Sequence, residues 1–331
     1  MNSLDVLTLF LFNIVIYNIP LLYGTVGEII IEKSGSLNLG VEGIMAVGAI
    51  FGYLIGCSAN SLTVGILASF VCAGLFGIIF AVLTVTMQAN QNVTGLTMTT
   101  FGVGLFFFIG KGLSASWPVM TQYANINNGF KNPIEIPLLS KIPVLGKALF
   151  SHNILVYLGI FIAIAVWFYL NKTKAGLRLR AIGENPAAAD SLGINITLYK
   201  YVHIILGSGI MGIGGYYMGL NLGGSFEGSN CWINGYGWIA VALVIFANWN
   251  TLVAILGTLV FGFFNTLQIY SGSLAYAFPK ALGFLDKIPS QLYQALPFII
   301  TALVLIFSSV RKNNKSAQPA SLGLNYYREE R

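Results

Sequence analysis

Nine stretches of this chain are apolar, most of them over roughly the 20 residues a helix needs to cross hydrocarbon, and that repetition leaves room for little else. They lie near residues 4–27, 38–57, 62–87, 93–111, 153–170, 201–222, 232–247, 252–271 and 290–310. Inside a bilayer every backbone N–H and C=O must find its partner in the protein, which a helix supplies for itself. The expectation is therefore an all-α, polytopic transmembrane helix bundle of about nine spans, within about eight to ten. Charged residues make up 8% of the 331, against roughly a quarter in soluble domains. The net charge of +6 does not imply nucleic acid, because the basic residues gather between 171 and 200 and at the C-terminus, as topology requires. Lipid is the expected surrounding.

Topology follows from the longest charged interruption. Residues 171–200, NKTKAGLRLRAIGENPAAADSLGINITLYK, carry Lys172, Lys174, Arg178, Arg180 and Lys200 against Glu184 and Asp190. A basic loop between apolar spans is held in the cytoplasm. Within it Asn185 can cap a helix that opens on Pro186, runs to Leu192 and stops at Gly193. At about 10 Å such a helix is too short to cross and should lie along the cytoplasmic face. The basic tail after Arg311 reads as cytoplasmic too, so an even number of crossings separates the two and the weak run at 232–247 counts as one. Counting back places the N-terminus outside and the C-terminus in the cytoplasm. The first apolar run follows an acid with no basic segment, as a first span and not a cleaved signal would. Residues 1–311 then form the transmembrane domain, and 312–331 a polar, partly disordered cytoplasmic tail. Pro118, Pro133, Pro137 and Pro143 break up the outer loop 112–152, which is expected to cap the outer mouth.

The polar residues left at membrane depth are candidates for a solute path. Most of the 38 glycines are expected to let helices approach closely. Two groups, Gly35 to Gly43 and Gly223 to Gly237, coincide with asparagines and are expected to break helices around a cavity. GVEGIMAVGA and GYGWIAVAL echo each other at these two places. Glu42 is the best embedded charge, with capping of a helix N-terminus as its structural alternative; Glu28, Glu32 and Lys33 are expected at the interface. Asn38, Asn90, Gln91, Asn92, Asn248, Asn265 and Gln268, with Phe101 and Trp249, could read the edges and faces of a flat neutral ring, or else join neighbouring helices. His152 and His203 stand apart as interfacial residues, and Cys57, Cys72 and Cys231 as packing residues without metal spacing. GVGLFFFIGK at 102–111 lacks the spacing of a phosphate-binding loop. No catalytic constellation, metal site or cofactor site is expected, so the chain is not read as an enzyme, and any nucleotide hydrolysis must come from another chain.

The sequence resembles inner-membrane permeases of ABC importers, in the branch that takes up nucleosides and simple sugars. GEIIIEKSGSLNLGVEGIMAVGA, ANQNVTGLTMTTFGVGL, GLRLRAIGENPAAADSLGIN and PASLGLNYYREER carry the likeness over nearly the whole length. The resemblance implies a multi-pass subunit of the bacterial plasma (inner) membrane that works with a second similar permease. It also implies a cytoplasmic ATP-binding subunit, which holds ATP and magnesium, and an external substrate-binding lipoprotein. It assigns coupling to that ATPase to Arg180, Gly183, Glu184, Asn185, Pro186, Asp190 and Gly193. The chain departs in carrying Ala187, Ala188 and Ala189 where an arginine is common. A nucleoside is the favoured substrate and a ribose- or galactose-type sugar the alternative. A stand-alone secondary carrier or channel is the competing class.

Overall fold

The computed structural model describes residues 3–112, 122–135, 137, 140, 142, 144–224, 231–310 and 318–327. It opens with α1 (Ser3–Glu32), α2 (Val41–Ser58), α3 (Leu62–Ala81), which continues as a π turn over Val82–Thr86, and α4 (Gln91–Gly112). The following connection holds α5 (Ala124–Lys131), α6 (Leu145–Phe150) and two paired antiparallel strands, β1 (Ile134–Glu135) and β2 (Ser151–His152). Then come α7 (Ile154–Lys172), α8 (Lys174–Glu184), α9 (Pro186–Ser191), α10 (Ile196–Asn221) and α11 (Tyr236–Phe246). The last helices are α12 (Thr251–Ala277), α13 (Pro279–Leu282) and α14 (Ser290–Val310).

Among the described residues, seven helices are long and apolar enough to cross a membrane: α1, α2, α3 with its π turn, α4, α7, α10 and α12. Helix α14, of 21 residues, returns along α12. The weakest expected span became something different. Helix α11 has only 11 residues, about 16 Å, or roughly half the hydrocarbon thickness, so the run at 232–247 is no complete helical crossing.

Polar side chains mark where these helices start. Ser61, Asn153, Thr173, Asn185, Asn195 and Asn250 each accept from a backbone N–H two or three residues on, at the heads of α3, α7, α8, α9, α10 and α12. Helices α1, α2, α3 and α10 pack most closely. A methyl on Gly27 would stand 2.5 Å from the Gly207 carbonyl, and one on Gly48 would overlap the Gly212 backbone. These glycines are packing devices, as expected. Large apolar side chains on the outer faces, such as Leu67 and Leu75 of α3 and Phe161 and Phe168 of α7, are exposed and suit lipid or a partner helix.

The described part of the connection after α4 carries more structure than a proline-broken loop requires. Phe130 of α5 meets Tyr217 at 5.6 Å, and His152 stacks on Phe12 at 4.5 Å while its Nε2 bonds the Ala148 carbonyl. Pro118 and Pro143 lie outside the described residues. Both histidines are buried within the protein: burial pushes the His152 imidazole below the usual histidine range, and His203 is held between the Tyr169 hydroxyl and the Tyr199 carbonyl. Glu28 and Glu32, near the end of α1, are buried within the protein, at 0% and 2% exposed. Part of the tail departs from expectation as well. Residues 318–327 run as a strap across the α8–α9 loop, with the Ser321 N–H donating to the Gly183 carbonyl at 2.9 Å and the Gly323 N–H to Gly35 at 3.3 Å. Loop and tail therefore share one end of the bundle, while Ser3 beside Ala277 marks the other end.

Candidate functional site

The two glycine–asparagine breaks meet inside the bundle. After α1, the segment 34–40 doubles back in extended form until Val41, at the head of α2, lies beside Gly24. Gly24 is eight residues from Glu32, so α2 begins about 12 Å in from the end of α1. Asn38, fully buried, fixes this return: its Nδ2 donates to Glu28 Oε2 at 3.0 Å and its Oδ1 accepts from the Gly40 N–H at 2.8 Å. Gln91 Oε1 accepts from the Leu37 N–H at 2.7 Å. On the other side the chain comes down from α10 past Trp232, whose ring meets Tyr53 and Phe106 at 5.3 and 5.1 Å. Asn234 and Gly235 turn it with φ of 39° and 90°, the left-handed region that glycine occupies without strain. Helix α11 then runs to a second left-handed turn at Asn248 and Trp249, where Trp249 Nε1 donates to Glu32 Oε2 at 2.5 Å.

Glu42 joins the two breaks. Its Oε1 accepts from the Gly235 N–H at 2.6 Å and its Oε2 from the Gly237 N–H at 2.8 Å. The carboxylate sits in the first turn of α2 and caps α11, so two helix N-termini converge on one negative charge. Each leaves unpaired N–H groups and a partial positive charge there. This is the capping alternative foreseen for Glu42, with a neighbouring helix as the one capped.

Beside α11 lies a cavity of about 340 Å³ lined by Leu21, Asn234, Tyr236, Ile239, Phe261, Asn265, Gln268, Tyr293 and Phe298. Ligand pockets run from about 300 Å³ upward. Asn265 Nδ2 donates to the Tyr236 hydroxyl at 2.7 Å, and the wall combines amides with aromatic faces. Of the ten path candidates, Asn265 and Gln268 line this cavity and Glu42 anchors its edge through Gly235. The others are elsewhere. Asn38 and Gln91 hold the 34–40 return; Asn90 caps α4 by accepting from the Val93 N–H at 3.1 Å; Asn92 is exposed beside it. Phe101 faces outward and stacks on Phe76 at 5.6 Å, while Asn248 and Trp249 belong to the turn after α11. Tyr236, Phe261 and Phe298 escaped sequence reading because an aromatic in an apolar run has the same pattern whether it faces lipid or a cavity.

At the loop end the coupling candidates form one unit. Asn185 ends α8 and caps α9, its Oδ1 accepting from the Ala188 N–H at 3.0 Å, with Pro186 in the first turn and Gly193 closing the helix at φ 75°. A methyl on Gly183 would overlap the Lys33 carbonyl, so α8 touches the end of α1 directly. Burial pushes the Lys33 ammonium below the usual lysine range, Glu184 opposing and Arg180 reinforcing that shift. The Glu184 carboxylate accepts from the Ala320 N–H at 3.3 Å and Asp190 from the Tyr326 hydroxyl at 2.9 Å, so the strap binds both ends of α9. Among the described residues no group of three His, Cys, Asp or Glu is placed to hold a metal.

The family described as branched-chain amino acid transport system / permease component matches residues 10–307. The chain belongs to this family. The nucleoside ABC transporter permease protein NupC of Lactococcus lactis is 34% identical, over the whole of both chains. The guanosine ABC transporter permease protein NupQ of Bacillus subtilis is 33% identical over 92% of this chain and 93% of its own. A putative glucose ABC transporter permease protein of Haloferax volcanii is 32% identical over 93% and 94%. No solved structure matches. The chain is thus a multi-pass ABC importer permease, and the resemblance read from its loop and glycine segments holds. In this permease the capped α9, the converging helix heads and the cavity lie on one continuous set of elements, joined by α1.

Proposed function

We propose that this permease carries nucleosides inward, driven by ATP hydrolysed on a separate cytoplasmic subunit. The observation that carries the substrate reading is the full-length similarity to relatives named for nucleoside and guanosine transport. The cavity beside α11 supports it, since Asn265, Gln268 and Asn234 offer amide donors and acceptors between the rings of Tyr236, Phe261 and Phe298. A sugar is the second reading, because one relative of similar identity is named for glucose.

The coupling role falls to Arg180, Gly183, Glu184, Asn185, Pro186, Asp190 and Gly193. Closure of the ATPase pushes α9, and the contact of Gly183 with Lys33 passes that push to α1 and the 34–40 return. Exposed Leu177 and Leu192 give the ATPase an apolar landing beside the helix. A second, similar permease completes the path, and an external binding lipoprotein delivers the solute at the end that holds Ser3. The loop end is cytoplasmic and the N-terminus outside, in a bacterial plasma membrane. ATP and magnesium bind the partner and not this chain.

Uptake of labelled guanosine and adenosine by the chain co-expressed with its ATPase, second permease and binding protein tests this. Uptake that needs ATP and is competed by nucleosides but not ribose or glucose supports the nucleoside reading. Competition by free sugars moves it to the sugar branch, and uptake by the chain alone in liposomes refutes the importer.

A further inference from the structure

A second and larger cavity, about 550 Å³, opens at the loop end between the π turn after α3, the turn from α9 into α10 and the strap. Its wall includes the first residues of α10, a 26-residue helix capped by Asn195. The side chain of Asn195 satisfies the Leu198 N–H, at 3.0 Å. The N–H groups of Ile196 and Thr197 have no acceptor within the helix, and the positive end of its dipole faces the cavity.

Lys200 is the second, independent feature. It stands one turn into α10, is 5% exposed, and lines the same cavity. Among the described residues no hydrogen bond or ion pair engages its ammonium, which keeps its access to the cavity that the residue lines. The Thr197 hydroxyl adds a donor; Asp190, the acid on the same wall, is engaged by the Tyr326 hydroxyl at 2.9 Å but keeps its charge, so an anion must be held at the Lys200 and α10 side of the cavity. A helix head, a buried ammonium and a hydroxyl converging on one space favour an anion with several acceptor oxygens. Inorganic phosphate would fill only a small part of 550 Å³, a volume within the roughly 300–1,000 Å³ of small-molecule sites.

We propose that this cavity binds a phosphate monoester of nucleotide size from the loop side, its phosphate held by Lys200 and the head of α10. The walls come from three segments, two of which, the α9–α10 turn and the strap, frame the coupling helix. Occupancy therefore ties the coupling helix to the strap. The site is separate from the membrane cavity and does not depend on which solute that cavity carries.

The test uses the full chain in nanodiscs of neutral phosphatidylcholine, with guanosine monophosphate as the probe and guanosine as the control that lacks only the phosphate. Saturable binding of the monophosphate, displaced by inorganic phosphate but not by guanosine, is expected. Lys200→Met should weaken it about tenfold or more, while Lys200→Arg keeps it. Absence of binding to the wild-type chain, equal competition by guanosine, or binding that Lys200→Met leaves unchanged overturns the proposal. If Lys200→Met does not fold, the phosphate competition and the Lys200→Arg variant still decide. Loss of monophosphate binding when phosphatidylglycerol is added would make the occupant a lipid headgroup and overturn the soluble ligand.

Discussion

The two internal helix heads, α2 after the 34–40 return and α11 after the 231–235 turn, solve one problem in different ways. Both leave backbone N–H groups inside the bundle that must find an acceptor in the protein. At α2 the approach is locked by side chains, Asn38 to Glu28 and Gln91 to Leu37, within fully packed surroundings. At α11 the approach turns on left-handed residues, and the head depends on one borrowed carboxylate while its side borders an open cavity. On the proposed function, the α2 side is fixed structure and the α11 side is the one that meets the solute. Inverted broken helices around a midplane site are a general device of transporters; here one of the pair acts as the anchor of the other.

The largest effect expected is from Glu42→Ala, which strands the buried Gly237 N–H and the half-buried Gly235 N–H. Charged hydrogen bonds of this kind are worth about 1.5–3 kcal/mol each, so both the melting temperature in detergent and ATP-driven uptake should collapse. Glu42→Gln keeps one acceptor and should retain part of each. A melting temperature within a degree or two of wild type for Glu42→Ala would break the comparison. Next comes Gly237→Ala, whose methyl would overlap the Glu42 backbone, against Gly235→Ala, which meets open space but a φ of 90°. Overpacking costs about 1–3 kcal/mol and left-handed strain about 1 kcal/mol. Uptake should therefore fall further for Gly237→Ala, and the reverse order would mean that the two helix heads are not in close contact.

Much of this was legible in residues. The capped α9 followed from Asn185, Pro186 and Gly193 because capping is local chemistry, and both breaks followed from glycine beside asparagine. The burial of Glu28 and Glu32 was not legible. Their partners, Asn38 and Trp249, are brought in by the two returns, the second 217 residues away from Glu32. The strap was missed for a related reason: a short polar segment with no apolar periodicity reads as disordered until its acceptors, Gly183 and Gly35, are in place. The cavity wall was half legible, since amides in an apolar helix stand out and aromatics do not.

Within the cavity the comparison sharpens. Gln268→Ala and Asn265→Ala should raise the KM for guanosine uptake by about tenfold, the size expected when one hydrogen bond to solute is lost. Their melting temperatures should move less than that of Asn38→Ala, which removes two buried hydrogen bonds on the fixed side without touching the cavity. A raised KM for Asn38→Ala at unchanged stability would move the solute to the α2 side.

The smallest effect lies at the strap. Tyr326→Phe removes only the hydroxyl that donates to Asp190, while the backbone bonds from Ser321 to Gly183 and from Gly323 to Gly35 remain. A hydrogen bond to a charged acceptor in a partly exposed site is worth about 1–2 kcal/mol, enough to loosen α9 but not to unfold the loop end. Stimulation of the ATPase should drop about twofold with the KM for solute unchanged, because the cavity beside α11 touches no strap residue. A change in KM would mean that the strap communicates with the solute cavity through α1 and the 34–40 return. The two helix heads would then move as one body, and the division into a fixed and a working side would fail.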